Sequence, residues 1–327
     1  MLLARLLIRF QQDVGSVEEV GLLCAHESAV SPEQLSEMQV MAGLAKSLLP
    51  PALSEAYTIQ QLVHYLCIFK CNNYNICNED MVSIGIGLYP AASVFNHSCR
   101  PNVGVVFSGR SVMLKALRPL QKGEELCISY IELGRNRASR RKDLKEGFNF
   151  DCECSLCSDG TLDSALSVDH TKHEALMNQL EALTEQALSL KQNSELKKSL
   201  EMFLKIAKQL REISPPIGYE LLSTYDSIVQ LSLQLQDWTT AKEYLILSTP
   251  ICEKIYADIS PNLGLHYYTL GKLSWFMEDD QRAYQYLLKA HNILDKIYPS
   301  TSNRLQTLNN LLNEVQAYRK KTINQSG

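Results

Sequence analysis

The residues of this chain that could do chemistry fall into two short, separated motifs, N-H-S-C at 96–99 and C-x-C-x-x-C at 152–157. The three cysteines of the second motif are too close together to form a disulfide framework, but their thiolates can converge on one ion. The cysteine of the first motif is the natural fourth ligand. We therefore predict one structural, tetrahedral zinc site. Its ligands are Cys99, Cys152, Cys154 and Cys157.

Ten cysteines in a chain could also indicate a secreted protein with disulfides. However, Arg5 and Arg9 interrupt the first apolar run, no cleavage signature follows, and no stretch has the length of a membrane span. These features favour a reducing compartment, in which cysteines bind metals more often than they form disulfides. A cluster of packed thiols without metal is the alternative, and three oxidisable groups within six residues speak against it.

The charge of the chain gives no reason to expect nucleic acid as a partner. The net charge is −4, whereas nucleic-acid-binding domains carry a strong positive patch. One basic stretch, 135–145, is predicted to form a solvated helical face rather than a substrate or DNA contact. A membrane partner is not expected either.

The predicted secondary structure around the two motifs changes along the chain, from helices to short strands and back to helices. Ser31-Pro32 is typical of a helix start, and this helix should run to about Leu49; a second helix is predicted to begin at Ser54-Glu55. Short strands follow, of which two should pair as a hairpin. These strands are 83–88, 103–107, 112–117 and 126–130. The pattern Gly85-x-Gly87 is interpreted as a turn at a strand end, because a lone G-x-G is weak support for a nucleotide loop.

From about residue 165 the pattern is helical throughout. Residues recur at an offset of 42, for example Tyr225 and Tyr267, Asp237 and Asp279. The repeating unit is helix, turn, helix, as in tetratricopeptide-like domains. The aromatic residues of this region are interpreted as packing between helices, and a groove in it could hold a peptide partner.

Taken in order, N-H-S-C-x-P-N, G-E-E-L-x-x-x-Y and F-x-C-x-C-x-x-C resemble the C-terminal half of a SET domain with its post-SET zinc loop. Together with G-L-Y-P at 87–90, they make the chain similar to the SMYD family, lysine methyltransferases with SET and MYND domains and a helical C-terminal domain. The specific motifs cover roughly residues 55 to 160. A zinc protein of unrelated function would not explain this order.

The resemblance implies S-adenosylmethionine as cofactor and a lysine channel. The implied cofactor-binding residues are Ser93, Phe95, Asn96, His97, Tyr130 and Phe150. Tyr130 would also be the catalytic tyrosine of the channel, with Tyr74 and Phe148 as its other walls. The family usually has tyrosine where this chain has Phe148, which could change how many methyl groups the product carries. Each of these side chains could instead be an ordinary core or turn residue.

The expected fold class is α+β: a partial SET β-sheet domain with a helical insert and a post-SET zinc loop, followed by an all-α tetratricopeptide-like domain. The predicted boundaries are 1–80 for the insert and SET remnant, 81–134 for the SET strands, 135–160 for the zinc loop and 161–327 for the helical domain. The MYND finger and the N-terminal G-x-G segment of the family pattern are expected to be missing.

Two functions follow from the resemblance. The first is methylation of histone or other protein lysines, in a shortened form, in the cytoplasm and nucleus. The alternative is a catalytically inactive SET remnant that acts as a zinc-stapled helical scaffold for protein partners.

Overall fold

The computed structural model of the protein describes residues 2–256 and 258–326. Its N-terminal part consists of five helices and a short 3-10 turn, Glu27–Ala29. These helices share a core that contains Leu7, Leu62 and Ile68. Their bounds are α1 Leu2–Gln12, α2 Val14–Gly21, α3 Pro32–Ser47, α4 Pro51–Ala56 and α5 Ile59–Asn72.

Side-chain caps mark where two of these helices, α3 and α5, begin. The Ser31 hydroxyl accepts a hydrogen bond from the backbone of Gln34 at 3.3 Å, as predicted for the start of α3. The second predicted helix start, at Ser54-Glu55, is wrong, because Tyr57 is extended and separates α4 from α5. A capping box formed by Thr58 and Gln61 begins the new helix at this break.

Six strands form three small, two-stranded sheets in the described chain. The strands are β1 Asn73–Cys77, β2 Ser83–Leu88, β3 Asn96–His97, β4 Val103–Ser108, β5 Ser111–Ala116 and β6 Cys127–Ile128. The predicted hairpin is β4–β5, which is antiparallel with Val103 opposite Ala116. Val106 of this hairpin is buried in the core of the C-terminal helices, so the hairpin joins the two parts of the molecule.

The β1–β2 ladder includes a strand that the sequence analysis missed. Gly85 and Gly87 both lie within β2 rather than in a turn, and Tyr74 of β1 is opposite Gly87. A Cβ atom on Gly87 would come within 2.7 Å of the Tyr89 ring and 3.1 Å of Ile76. A side chain at this position would have to displace the Tyr89 ring, so close packing favours glycine.

The shortest sheet positions the first motif. β3 pairs in parallel with β6, so that Asn96 lies opposite Cys127 and His97 opposite Ile128. The side chain of Asn102 holds this pairing, since its Oδ1 accepts the backbone N–H of Cys127 at 2.8 Å. The predicted strand 126–130 is shortened to Cys127–Ile128.

The C-terminal part consists of helices, as predicted. Three helices surround the second motif: α6 Arg137–Phe148, α7 Ser155–Asp159 and α8 Thr161–Leu166. The remaining helices share one large core. They are α9 Glu174–Gln192, α10 Leu196–Ile213, α11 Tyr219–Gln234, α12 Trp238–Ile255, α13 Pro261–Phe276, α14 Asp280–Ile297 and α15 Asn303–Ser326.

The repeat at an offset of 42 is confirmed in the pairs α11–α12 and α13–α14. Gln236 and Glu278 both adopt left-handed backbone angles, with φ of 59° and 61°. The next residue in each repeat caps the second helix, since Asp237 accepts from the backbone of Thr240 and Asp279 from that of Arg282. No helix among residues 2–256 and 258–326 is both long and apolar enough to cross a membrane.

Candidate active site and metal centre

His97 lies between Tyr130 and Cys99. The backbone N–H of Tyr130 donates to Nδ1 of His97 at 3.0 Å, and Nε2 of His97 is 3.3 Å from the Cys99 sulfur. Burial lowers the pKa of His97 to about 4, so the ring is neutral near pH 7. A neutral ring that accepts at Nδ1 carries its proton on Nε2, which then donates to the sulfur. His97 thus connects the strand pair to the cysteine cluster.

The predicted metal ligands converge. The sulfur atoms of Cys99, Cys152, Cys154 and Cys157 all lie within 4.8 Å of one another. Those of Cys99 and Cys157 are 3.6 Å apart, and a tetrahedral zinc ion with Zn–S bonds of about 2.3 Å holds its sulfurs about 3.8 Å apart. Cys99, Cys152 and Cys157 are almost fully buried. The four side chains therefore fit one closed, structural zinc site.

The protonation of the cluster also fits a metal. Burial raises the pKa of the Cys152 thiol to about 12, whereas a hydrogen bond from Cys99 lowers the pKa of Cys154 to about 3. Without a cation, the protonated Cys152 thiol would lie beside the half-buried Cys154 thiolate. A divalent cation reverses this preference, because it stabilises each thiolate that it contacts.

The burial of Arg140 corrects the prediction for the basic stretch. Its side chain is fully buried and pairs with both carboxylate oxygens of Asp163, at 3.1 and 3.0 Å. Arg141 and Lys142 are exposed, as predicted. The prediction of a solvated face was wrong for Arg140, because Asp163, on a different helix, supplies an opposite charge that offsets the free-energy cost of burying the guanidinium.

Asn96 precedes His97 in β3, and the Phe150 ring packs near the His97 ring. The Asn96 amide is exposed and donates to Glu125 at 2.8 Å. The half-buried Phe150 ring is 6.1 Å from the His97 ring and 6.3 Å from the Tyr130 ring, centroid to centroid. A polar amide and an aromatic face beside each other could hold the adenosine part of a nucleoside cofactor.

Two tyrosine hydroxyls are anchored to one short segment before the first motif. Tyr130 donates to the carbonyl of Phe95 at 2.6 Å, and Tyr74 donates to that of Ala92 at 2.7 Å. Burial raises the pKa of both hydroxyls, so each stays protonated and acts as a donor. The Phe148 ring is 4.8 Å from the Tyr130 ring and completes an aromatic group.

This aromatic group faces a cleft of about 610 Å³ between the strands and the C-terminal helices. Ser93, Tyr74, Tyr130 and Phe148 line the cleft on one side. Tyr256, Asn262 and Tyr298 line it from the helical domain. Among the residues lining the cleft, Glu132 accepts a hydrogen bond from the Tyr256 hydroxyl at 2.8 Å. A chain segment lying in this cleft would touch both parts of the protein.

The structure divides the site residues that the resemblance implied into two groups. Ser93, Tyr74, Tyr130 and Phe148 line the cleft, whereas Phe95, Asn96, His97 and Phe150 are not among its lining residues. Tyr130 contacts members of both groups, since its hydroxyl bonds the Phe95 carbonyl and its ring packs near Phe148. Their roles stay predictions.

Sequence reasoning missed Asp163, Tyr219 and the burial of Arg140. Asp163 lies 23 positions after Arg140, with no motif around it, and Tyr219 lies 79 positions after it. No local signal could have identified this set. The partner of Asn96 was easier to predict than these residues, because Glu125 belongs to the G-E-E turn, which is one of the motifs of the family resemblance.

Comparisons with known proteins agree with the motifs. A family model described as SET domain matches residues 10–131. Histone-lysine N-methyltransferase ASHR1 of Arabidopsis thaliana is 25% identical over 295 residues, which are 79% of this chain and 61% of that protein. Histone-lysine N-methyltransferase SMYD3 of Homo sapiens is 29% identical over 230 residues, 69% of this chain and 51% of that protein.

The chain therefore spans about half to three fifths of the length of these relatives. Among solved structures, a Podosopora anserina putative kinesin light chain with nearly identical TPR-like repeats is similar. It is 17% identical and covers 44% of this chain and 76% of its own, with a TM-score of 0.33. The SET-domain match over residues 10–131, the relatives and the ordered motifs all support a likeness of the chain to the SET-and-MYND (SMYD) family.

Proposed function

We propose that the protein is a protein-lysine N-methyltransferase that uses S-adenosylmethionine. The observation that carries this proposal is the position of Tyr130. Its hydroxyl is bonded to the Phe95 carbonyl on the side of the N-H-S-C motif, and its ring borders the cleft with Tyr74 and Phe148. Relatives named as histone-lysine methyltransferases support the same reaction class.

The main chemical obstacle is that lysine is protonated. An ordinary lysine has a pKa of about 10.4, so that removing its proton near pH 7.4 costs about 4 kcal/mol. A channel walled by Tyr74, Tyr130 and Phe148 lowers this cost, since it desolvates the ammonium group and thereby lowers its pKa. The same walls restrict the amine to one direction of approach, which favours an in-line attack.

The residues present fit the proposed cofactor. S-adenosylmethionine, when bound, supplies an electrophilic methyl group on a sulfonium. Asn96 and the backbone around Ser93 and Phe95 offer polar contacts, and Phe150 offers a face for an adenine ring. His97, which is neutral, would position this surface through its bonds to Tyr130 and Cys99.

The proposed zinc ion has a structural role. Cys152, Cys154 and Cys157 follow directly after Phe148 and Phe150, and Cys99 follows directly after the N-H-S motif. Metal binding at these sulfurs would fix both aromatic rings beside Tyr130. The energy of metal binding would then contribute to folding of the loop.

The substrate that we propose is a lysine of a histone or another protein. The cleft is bordered by residues from both parts of the chain, so a polypeptide could lie along it with its lysine directed at the aromatic group. The helical repeat domain would supply a second peptide-binding surface, as helical repeats do in other proteins.

Calorimetric titration of the zinc-loaded chain with S-adenosylmethionine tests the proposal. We expect micromolar binding that His97→Ala abolishes and that Tyr130→Phe leaves nearly intact, together with methyl transfer to histone lysines by the unaltered protein. A folded, zinc-loaded chain that neither binds the cofactor nor transfers methyl groups would contradict the proposal and favour the scaffold function.

A further inference from the structure

The cleft between the strands and the C-terminal helices contains an unpaired carboxylate. Among the described residues that line the cleft, those with a formal charge are Glu132, Arg135 and Asp143. Arg135 pairs with Asp143, so their charges offset each other. Glu132 is in none of the ion pairs of residues 2–256 and 258–326. A cationic ligand in the cleft therefore has one carboxylate available to it.

Neutral donors hold the Glu132 carboxylate in place. Its Oε1 accepts the backbone N–H of Gly134 at 3.0 Å and the hydroxyl of Tyr256 at 2.8 Å. Its Oε2 lies 3.5 Å from the Asn262 amide nitrogen. Burial raises the pKa of Tyr256, so this hydroxyl stays protonated and acts as a donor. The helical domain thus orients the carboxylate but does not neutralise it.

Close packing fixes the backbone that carries this carboxylate. A Cβ atom on Gly134 would lie 3.1 Å from Leu222 of α11 and 3.3 Å from the Tyr256 hydroxyl. Glu132 is nevertheless exposed to solvent. A ligand can therefore reach an acceptor that is already oriented, which lowers the entropy lost on binding.

The position of Glu132 in the chain places it near the proposed lysine channel. It lies two residues after Tyr130, so the two Cα atoms are at most about 7 Å apart. In an extended peptide, side chains two positions apart point to the same side and are also about 7 Å apart. A peptide with its lysine at Tyr130 can thus direct a second side chain at Glu132. Arginine suits this position, because its guanidinium binds a carboxylate with two parallel hydrogen bonds.

We propose that Glu132 is a specificity-determining residue, which binds an arginine two positions away from the lysine that is methylated. This inference deepens the proposed function and rests on it for the identity of the central lysine. Peptide binding is measured without cofactor or methyl transfer, so the two can fail separately. Selective binding without methyl transfer would contradict the proposed function and support the role of Glu132.

The experiment compares two labelled peptides of the same composition and charge by fluorescence anisotropy. Both have one central lysine among alanine, glycine and serine. Two arginines stand two positions before and after the lysine in the first peptide, and at the two ends in the second. We expect the unaltered protein to bind the first peptide about tenfold more tightly, an effect between that of an exposed ion pair and that of a desolvated charged hydrogen bond.

Glu132→Gln removes the charge and keeps the shape of the side chain. It should bind both peptides within about twofold of each other, since only weak, screened charge interactions remain. Glu253→Gln is the matched control, because Glu253 also accepts a hydrogen bond from a tyrosine, Tyr267, but is not among the residues that line the cleft. Its preference should equal that of the unaltered protein.

Tyr256→Phe tests the orientation of the carboxylate separately from its charge. It removes a hydroxyl that bonds Oε1 of Glu132, so the preference for the first peptide should fall by about threefold, the usual effect of one hydrogen bond. Melting temperatures show whether the variants fold. Should Glu132→Gln fail to fold, Tyr256→Phe takes its place in the comparison.

Several results would overturn the proposal. One is an unaltered protein that binds both peptides alike, or neither of them. Another is a full preference for the first peptide in Glu132→Gln or, where that variant does not fold, in Tyr256→Phe. Loss of the preference in Glu253→Gln would also do so, because the effect would then reflect the overall charge of the protein.

Discussion

At the residue scale, Tyr130 is the side chain that the two halves of the proposed site share. Its backbone N–H orients His97, its hydroxyl bonds the Phe95 carbonyl, and its ring lies 4.8 Å from that of Phe148. The backbone contact does not depend on the side chain. The hydroxyl and the ring can therefore be tested separately from the strand pairing.

Tyr130→Phe should lower the rate of methyl transfer by roughly 100-fold or more, the usual effect of removing a well-placed polar group from a reaction site. The physical reason is that the hydroxyl, anchored at 2.6 Å to a carbonyl, can no longer position the amine. Initial rates with a radiolabelled methyl donor measure the effect, while the melting temperature shows that the fold is retained.

Tyr89→Phe is a matched control for this substitution. Its hydroxyl also donates to a backbone carbonyl, that of Arg110, at 2.8 Å, but Tyr89 is not among the residues that line the cleft. Its rate should equal that of the unaltered protein. Equal rates for both variants would show that the Tyr130 hydroxyl has no part in the reaction.

Phe148→Tyr should shift the products toward fewer methyl groups. A hydroxyl at this position adds volume and a hydrogen-bonding group next to Tyr130, and the methylated amine then has less freedom to turn for another transfer. One net hydrogen bond corresponds to about a tenfold change in product ratio. Mass spectrometry of a lysine peptide measures the ratio, and an unchanged distribution would exclude Phe148 from the channel.

At the element scale, the two helix pairs of the C-terminal domain use the same cap in different surroundings. Asp237 and Asp279 each cap a helix through one carboxylate oxygen. The second oxygen of Asp279 also pairs with Lys242 of the preceding repeat at 3.0 Å. Lys242 is 9% exposed, whereas the Asp279 side chain is 28% exposed, so the cation of this pair is buried and its carboxylate is partly exposed.

Asp279→Ala should therefore destabilise the protein more than Asp237→Ala. Loss of a cap costs about 1 kcal/mol, and a buried cation left without its partner adds about 1 to 3 kcal/mol. Urea unfolding of both variants gives the difference in the free energy of unfolding. Equal losses would mean that the Lys242 pair contributes nothing beyond the cap.

At the scale of the whole molecule, the cluster of Cys99, Cys152, Cys154 and Cys157 joins segments that are distant in sequence. Cys152→Ser should reduce the zinc content and lower the melting temperature by about 10 °C, because loss of a structural metal removes several kcal/mol of stability. Cys127→Ser is the control, since Cys127 lies outside the cluster. Metal analysis and calorimetry measure both effects, and equal zinc in both variants would contradict the assigned ligands.

A second set of contacts joins the β1–β2 turn to the C-terminal helices. Glu79, in the turn between β1 and β2, accepts the backbone N–H of Arg304 at 2.7 Å, and the Arg304 guanidinium pairs with Asp80. Tyr298, which lines the cleft, donates to the Glu79 carbonyl at 3.5 Å. This turn therefore holds the helical domain against the strands.

Arg304→Met should increase hydrogen exchange in the β1–β2 turn by roughly tenfold, because the free energy needed to open this turn locally falls by about 1 kcal/mol. Arg319→Met is the control, because Arg319 lies in the same helix but pairs with Asp280 inside the helical domain, at 3.3 Å. Mass-spectrometric exchange measures both variants. The same protection of the turn in both would show that Arg304 does not hold the two parts together.

Features that depend on local spacing could be predicted from the sequence. They are the convergence of the cysteines at 99 and 152–157, the β4–β5 hairpin and the repeat at an offset of 42, and each follows from the type and spacing of a few residues. The class of the fold followed from the change between strand-like and helical patterns.

Features that depend on contacts between distant segments became visible only in the folded chain. The break at Tyr57, the burial of Arg140 by Asp163 and the shortening of the strand 126–130 to Cys127–Ile128 could not be read from local patterns. The physical reason is that the cost of burying a charge, or of ending a strand early, depends on partners that the chain brings close only when it folds.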